Sequence, residues 1–265
     1  QAKVESFKAS AELPNSLTLE QVLITARGDL AAGYQLDGAA SLPAADAPMA
    51  LTLSALLNAE GAQIKHLNLD ADAEQQVHLS GEVNWQQGLN LDTRFAWQQF
   101  PWQRLYPLAE APPVALRSLN GELAYQDGHY LGHFVAELDG PAGAFSLQSP
   151  LSGDFNNLYL PELRLHAGQG KAEGQVTLGF AGPLRWDVRL QLSQLNPAYW
   201  LAELPGALAG PFNSAGSLAD GQFKLSADVD LNGRLRGQPA KLLAQFAGGL
   251  DQGKLSALDV RLGEI

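Results

Sequence analysis

The chain has 265 residues, a formal net charge of −11 and no cysteine. This length suffices for a sizeable core, and a hydrophobic content of 46% argues against disorder. The chain has 17 Lys and Arg residues against 28 acidic residues, and no basic cluster, which argues against a nucleic-acid partner. The absence of cysteine excludes disulfides, a thiolate nucleophile and cysteine metal sites.

Neither end of the sequence resembles a natural terminus. No apolar run approaches the roughly 20 residues of a membrane-spanning helix, and the first five residues are not those of a signal peptide. The last residues, 261–265, stop while polar and apolar residues still alternate. We interpret both ends as cuts through a longer protein.

In chain order, the sequence predicts a series of strands with one apolar and one polar face. Short alternations occur at 17–19 and 22–24, and further strands are predicted at 64–69, 77–85 and 89–97. The clearest case is 184–192, where every even position is large and apolar and every odd position is charged or an amide. Residues 223–231 repeat this alternation. A period of two places all the apolar side chains of a strand on one face.

Two inserts bounded by prolines interrupt the alternation, at 100–107 and 195–206. Asn196 suits an N-cap and Pro197 the first helical position, so a short helix is predicted there. The inserts lie about 95 positions apart, and so do pairs such as Leu89 and Leu184. We therefore predict one elongated domain over 1–265, built from repeat units 36–120, 121–216 and a partial 217–265.

The 27 glycines and 15 prolines fit tight turns between consecutive strands. No segment carries a sustained helical stripe. The predicted fold class is all-β, an elongated and curved ribbon of antiparallel or mixed strands with a hydrophobic interior and one or two short helical inserts.

The sequence contains no recognisable catalytic or metal-binding motif. Residues 168–172 lack the spacing of a phosphate-binding loop and predict a turn, and 70–74 predict a solvated turn rather than a calcium loop. His129 and His133 share a strand face but have no third ligand nearby. We expect no enzyme activity, no cofactor and no metal.

The apolar faces allow two interpretations. They fill a sealed core, or they line a groove that no second sheet covers. The repeat favours the groove, because stacked repeats form extended ribbons rather than closed globules. The predicted groove-lining residues are Leu89, Leu91, Phe95, Trp97, Leu184, Trp186, Val188, Leu190, Leu192, Phe223, Leu225, Val229 and Leu231.

Two segments, 192–210 and 231–240, resemble the TamB family of the wider AsmA-like group of envelope proteins. The resemblance implies a U-shaped or taco-shaped β-ribbon in the periplasm, an inner-membrane anchor in the full-length protein, and transport of phospholipid toward the outer membrane. It also implies an outer-membrane barrel partner of the TamA type in protein assembly. The alternative is a sealed β-solenoid that acts as a structural or adhesive protein-binding module.

Overall fold

The computed structural model describes residues 2–8, 18–29, 32–108, 111–219, 222–249 and 253–263. Within these ranges the chain is all-β, with seventeen strands and two 3₁₀ turns of three residues each. Every pairing between named strands is antiparallel. The predicted all-β class, with its antiparallel strands and short helical inserts, is therefore confirmed.

The chain divides into two compact units, the first comprising residues 1–112 and 117–127 and the second residues 113–116 and 128–265. The first unit is a meander in which each strand pairs with the next. Its strands are β1 (Ala2–Lys8), β2 (Thr18–Asp29), β3 (Gly33–Leu42), β4 (Met49–Leu57), β5 (Gly61–Asp70), β6 (Gln76–Asn84), β7 (Asn90–Gln98) and β8 (Ala115–Gln126), and its 3₁₀ turn is Trp102–Arg104.

The second unit is likewise a meander of consecutive antiparallel strands. Its strands are β9 (His129–Gly140), β10 (Gly143–Asp154), β11 (Asn157–Ala167), β12 (Gly170–Gly179), β13 (Leu184–Leu195), β14 (Gly206–Ala219), β15 (Gln222–Leu235), β16 (Gln238–Gly249) and β17 (Gly253–Leu262), and its 3₁₀ turn is Pro197–Tyr199. The predicted strand at 184–192 is thus the first three quarters of β13.

Bulges keep the apolar residues on one face where the alternation would otherwise reverse. In β11 the register shifts between Leu160 and Leu163, and both leucines are buried. In β5 the same shift separates Ile64 from Leu67. An extra residue in one strand changes its parity, so residues three apart come to share a face.

Each unit has its own hydrophobic core. In the first unit the buried residues Leu42, Met49 and Phe100 form the centre of the cluster. In the second unit the centre is formed by Ala172, Leu192, Val229 and Leu231. Each cluster lies toward one end of the strands of its unit.

Candidate functional site: an apolar inner face crossed by straps

The strand register of the second unit aligns the apolar residues of neighbouring strands into rows. Trp186 on β13 lies between Leu178 on β12 and Gly216 on β14. Val188 on β13 lies in the next row, between Val176 and Ser214. We call the face that carries these rows the inner face, and the opposite one the outer face.

Trp186 shows how large and small residues alternate along a row. A Cβ added at Gly216 would lie 2.1 Å from the Trp186 indole, so the ring lies directly over the glycine. The indole N–H donates to the Ser214 hydroxyl at 3.2 Å, which satisfies its polar group. Any larger residue at 216 would displace the ring.

The inner face of the first unit has the same character. Phe95 lies between Leu79 and Gly121, and Trp97 lies between Val77 and Leu119. A polar exception is Thr93, which is buried and donates to the Leu123 carbonyl at 3.1 Å. At the strand positions paired in register, the inner face of each unit carries no charged side chain. Arg117, two residues before Leu119 at the end of β8, has the parity of this face and is half-buried.

The ion pairs of the described strands lie on the outer face. Arg94 pairs with Glu122 at 2.9 Å and Arg189 with Asp187 at 3.0 Å, and all four side chains are exposed. Asp37 accepts from the Ser54 hydroxyl at 2.8 Å, and hydrogen bonds from Ser54 and Gln35 hold the pKa of this carboxyl below its usual range. These contacts solvate one face and leave the other apolar.

Burial on the inner face changes along β13 and β15. On β13, Leu184 is 41% exposed, Trp186, Val188 and Leu190 are half-buried, and Leu192 is 7% exposed. On β15, Leu225 is half-buried, whereas Val229 and Leu231 are buried. The inner face of these two strands is thus covered at one end and accessible at the other.

A strap covers the buried end in the second unit. We give this name to residues 194–205, which include the 3₁₀ turn and run from β13 back across β12 and β11. Phe145 on β10 packs against Tyr199 and Trp200, with ring centroids 5.9 and 5.2 Å apart. At Gly140 an added Cβ would lie only 2.0 Å from the Tyr199 carbonyl oxygen, so the strap depends on a glycine at the end of β9.

The N-cap predicted at Asn196 anchors this strap. Its Oδ1 accepts from the amide of Ala198 at 3.1 Å, and also from the amide of Gly206, the first residue of β14, at 2.9 Å. Pro197 occupies the first turn, as predicted. One side-chain oxygen therefore fixes both the start and the end of the strap.

The first unit contains a corresponding strap, residues 99–106. It returns from β7 to the β3–β4 connection. There the Arg104 carbonyl accepts from the Ala45 amide, and the Arg104 guanidinium donates to the Ala45 and Ala47 carbonyls. Phe100 packs edge-on to Trp97 with ring centroids 5.1 Å apart. We call the strand ends beneath a strap the strap end, and the opposite ends the open end.

The predicted lining residues occupy three kinds of position. Leu91, Phe95, Trp97, Trp186, Val188, Leu190 and Leu225 are half-buried on the inner face, and Leu192, Val229 and Leu231 are buried there. Leu184 is exposed at the open end, and Leu89 lies in the β6–β7 turn, just before β7, and is 55% exposed. The backbone of Phe223 lies opposite Leu218, and its side chain lies outside the described residues.

The straps were only partly visible in the sequence. Their prolines mark an interruption, but the contact with a hairpin three or four strands earlier has no local signal. Of the exposed apolar residues at the open end, Leu89 and Leu184 were predicted, but Phe155 and Phe180 were missed. The spacing of 95 positions from Trp85 to Phe180 could have revealed Phe180.

The polar motifs of the sequence lie in turns and on the outer face. Residues 168–169 form the turn between β11 and β12, and Asp72 caps its own turn by accepting from the amides of Glu74 and Gln75. His129 and His133 are exposed on the outer face of β9. No group of three or more metal-ligating side chains occurs among the described residues.

Comparison with known protein families adds one finding to this geometry. The family model described as TamB, N-terminal domain, matches residues 129–264, which is more than half of the chain. The chain belongs to the TamB family. Neither the curated proteins nor the solved structures include a match.

TamB-family membership makes this a protein of the cell envelope, in a non-enzymatic family with a general role in envelope assembly. In the part of the chain that the structure describes, no helix is long and apolar enough to cross a membrane.

Proposed function

We propose that the inner faces line a groove that conducts phospholipid acyl chains across the periplasm toward the outer membrane. The observation that carries this proposal is the apolar inner face that stays half-exposed along much of β13, at Trp186, Val188 and Leu190. A core that only stabilised the fold would bury these residues. TamB-family membership supports the same proposal.

Acyl-chain energetics explain why such a groove is sufficient. Moving a chain of about sixteen carbons through water costs more than about 10 kcal/mol, at about 0.8 kcal/mol for each CH₂. An apolar groove removes most of that cost without any covalent step. The groove therefore needs shape and hydrophobicity rather than catalytic residues, and it has little basis for selecting one acyl chain over another.

The straps would determine how a lipid lies in the groove. The strap end is filled by aromatic packing around Phe145 and Phe100, which leaves no path for a hydrated headgroup. The open end has accessible apolar residues beside polar turns. We infer that acyl chains lie on the inner face with their headgroups at the open end.

We also infer that the groove grows by units of about 95 residues, with 36–120, 121–216 and the partial 217–265 as its repeats. Support comes from the straps, since their 3₁₀ turns begin at Trp102 and Pro197, about 95 positions apart. Each repeat would add six strands and one strap. In the full-length protein, anchored in the inner membrane, the groove would lead toward an outer-membrane barrel of the TamA type.

Site-specific photocrosslinking tests the groove. A photoreactive residue replaces Val188 or Phe95 on the inner face, and matched controls replace the neighbouring outer-face residues Arg189 and Arg94. We expect phospholipid adducts from the inner positions and few from the outer ones. Equal yields from both faces would contradict the groove.

A sealed β-solenoid that binds protein remains the second candidate, and the buried residues Leu192, Val229 and Leu231 favour it. Native mass spectrometry of the purified chain separates the two. Co-purifying phospholipid is expected for the groove, whereas a mass without lipid supports the sealed solenoid.

A further inference from the structure

Two adjacent turns at the open end of the second unit present phenylalanines to solvent. Phe155 in the β10–β11 turn is 78% exposed, and Phe180 in the β12–β13 turn is 47% exposed. The amide of Phe180 donates to the Asn156 carbonyl at 2.6 Å, which holds the two turns side by side. Large exposed apolar groups that cluster on a surface mark a contact site.

The first unit has the same feature at the corresponding turn. Trp85 and Leu89 flank the β6–β7 turn and are 44% and 55% exposed. They lie about 95 positions before Phe180 and Leu184, the two exposed apolar residues of the β12–β13 turn. An aromatic residue and a leucine at the same places of the same turn in two units point to a selected feature rather than to chance exposure.

Two cations lie directly behind these apolar residues in the second unit. Arg185 and Lys224 flank Ser217 in a single row across β13, β14 and β15, on the outer face. Both are exposed, and within the described residues neither forms a salt bridge. The nearby Asp187 is paired with Arg189, so it does not neutralise them.

The exposed turns also continue the inner face. Leu184 lies opposite Leu218, and this pair is the last apolar row before the β12–β13 turn. Both leucines are exposed. An apolar surface therefore extends from the groove to Phe180 in the β12–β13 turn. In the neighbouring turn the Asp154 carboxylate lies beside Phe155 and accepts from the amides of Asn156 and Asn157.

We propose that the open end of the second unit docks onto an anionic phospholipid bilayer. Phe155 and Phe180 enter the boundary between headgroups and acyl chains, while Arg185 and Lys224 contact the phosphates. Because a strand rises about 3.3 Å per residue, the cations sit a few ångströms behind the apolar tips. Apolar side chains at the front with cations behind them match the layering of an anionic bilayer surface.

The chemistry of the β12–β13 turn favours a bilayer over a protein partner. Residues 179–184 carry only Gly, Phe, Ala, Pro and Leu side chains, none of which forms a hydrogen bond. Protein interfaces need about one hydrogen bond per 100–200 Å². A bilayer makes no such demand of an inserted loop. This docking does not depend on acyl-chain conduction, because it concerns only the surface that the turns contact.

Vesicle co-sedimentation of the whole chain tests the docking. The probes are vesicles of phosphatidylethanolamine with phosphatidylglycerol, and vesicles of phosphatidylcholine alone. The double variant Phe155→Ser with Phe180→Ser should weaken binding to the anionic vesicles on the order of tenfold for each phenylalanine. The variant Arg185→Gln with Lys224→Gln should weaken it about fivefold per cation and reduce its salt dependence.

Leu201→Ser is the matched control, since Leu201 is 55% exposed but lies in the strap at the other end of the strands. It should bind like the unmodified chain, and circular dichroism checks that each variant is folded. Absence of vesicle binding by the unmodified chain, or equal losses in Leu201→Ser and in the phenylalanine variant, would overturn the proposal. Equal binding to neutral vesicles would also overturn it.

Transfer of labelled phospholipid between vesicles is measured in parallel. Vesicle binding that is lost in the phenylalanine variant supports the docking whether or not transfer occurs. Docking without any transfer would count against the groove alone, so the two proposals fail separately.

Discussion

A carboxylate introduced on the inner face should have opposite consequences at its half-buried and its buried positions. Val188 is half-buried between Val176 and Ser214, whereas Val229 is 7% exposed within the second core. For Val188→Asp, losing about half of a valine's burial costs about 1 kcal/mol, and the poorer strand propensity of Asp adds up to about 1 kcal/mol. The carboxylate stays hydrated at the accessible face, so the protein should fold.

For Val229→Asp the same replacement removes a fully buried side chain and leaves a carboxylate without water or a partner. The lost burial costs about 2 kcal/mol and the buried polar group several more. A total above about 4 kcal/mol approaches the whole stability of a typical domain. We therefore expect Val229→Asp to unfold the second unit and Val188→Asp to lose bound lipid while it keeps its fold.

Urea unfolding followed by circular dichroism measures the stability, and native mass spectrometry measures the bound phospholipid. Gln191→Asp is the matched control, because Gln191 is exposed on the outer face of the same strand. It should change neither quantity by much. If Val188→Asp destabilises the protein as strongly as Val229→Asp, the inner face is sealed at Val188 and the reasoning from half-burial is refuted.

Three further predictions concern the strap and the turns. Gly140→Ala should destabilise the second unit by about 1–3 kcal/mol in urea unfolding, because the new methyl group meets the Tyr199 carbonyl. Gly179→Ala is its control, because a Cβ there would meet nothing closer than 3.5 Å, and it should change the free energy of unfolding little. Asn196→Ala should cost about 1–2 kcal/mol and Asn196→Asp much less, because the aspartate still accepts from both amides; equal losses would exclude the capping role. Hydrogen bonds from the amides of Asn156 and Asn157 hold the pKa of Asp154 below its usual range. The ionised carboxylate therefore stabilises the folded chain above about pH 4, and this stabilisation is lost as the pH falls through the lowered pKa. Between about pH 5 and pH 3, the melting temperature of Asp154→Asn should fall less than that of the unmodified chain.

The strands, and the side of each strand that carries its apolar residues, could be predicted because both depend on the alternation of neighbouring residues. The alternation from Leu184 to Leu192 is a property of consecutive residues, and β13 places both leucines on the same face of the sheet. The Asn196–Pro197 cap is equally local, since capping involves an amide only two residues away. The family followed from the same segments.

Burial along each strand was decided only by the tertiary structure. The alternation treats Leu184 and Leu192 alike, yet one is 41% and the other 7% exposed. The difference arises because the strap returns across β12 and β11 to Phe145, about 50 residues earlier in the chain. Only the paired strands bring these segments together, so a local pattern carries no information about which end of a strand the strap covers.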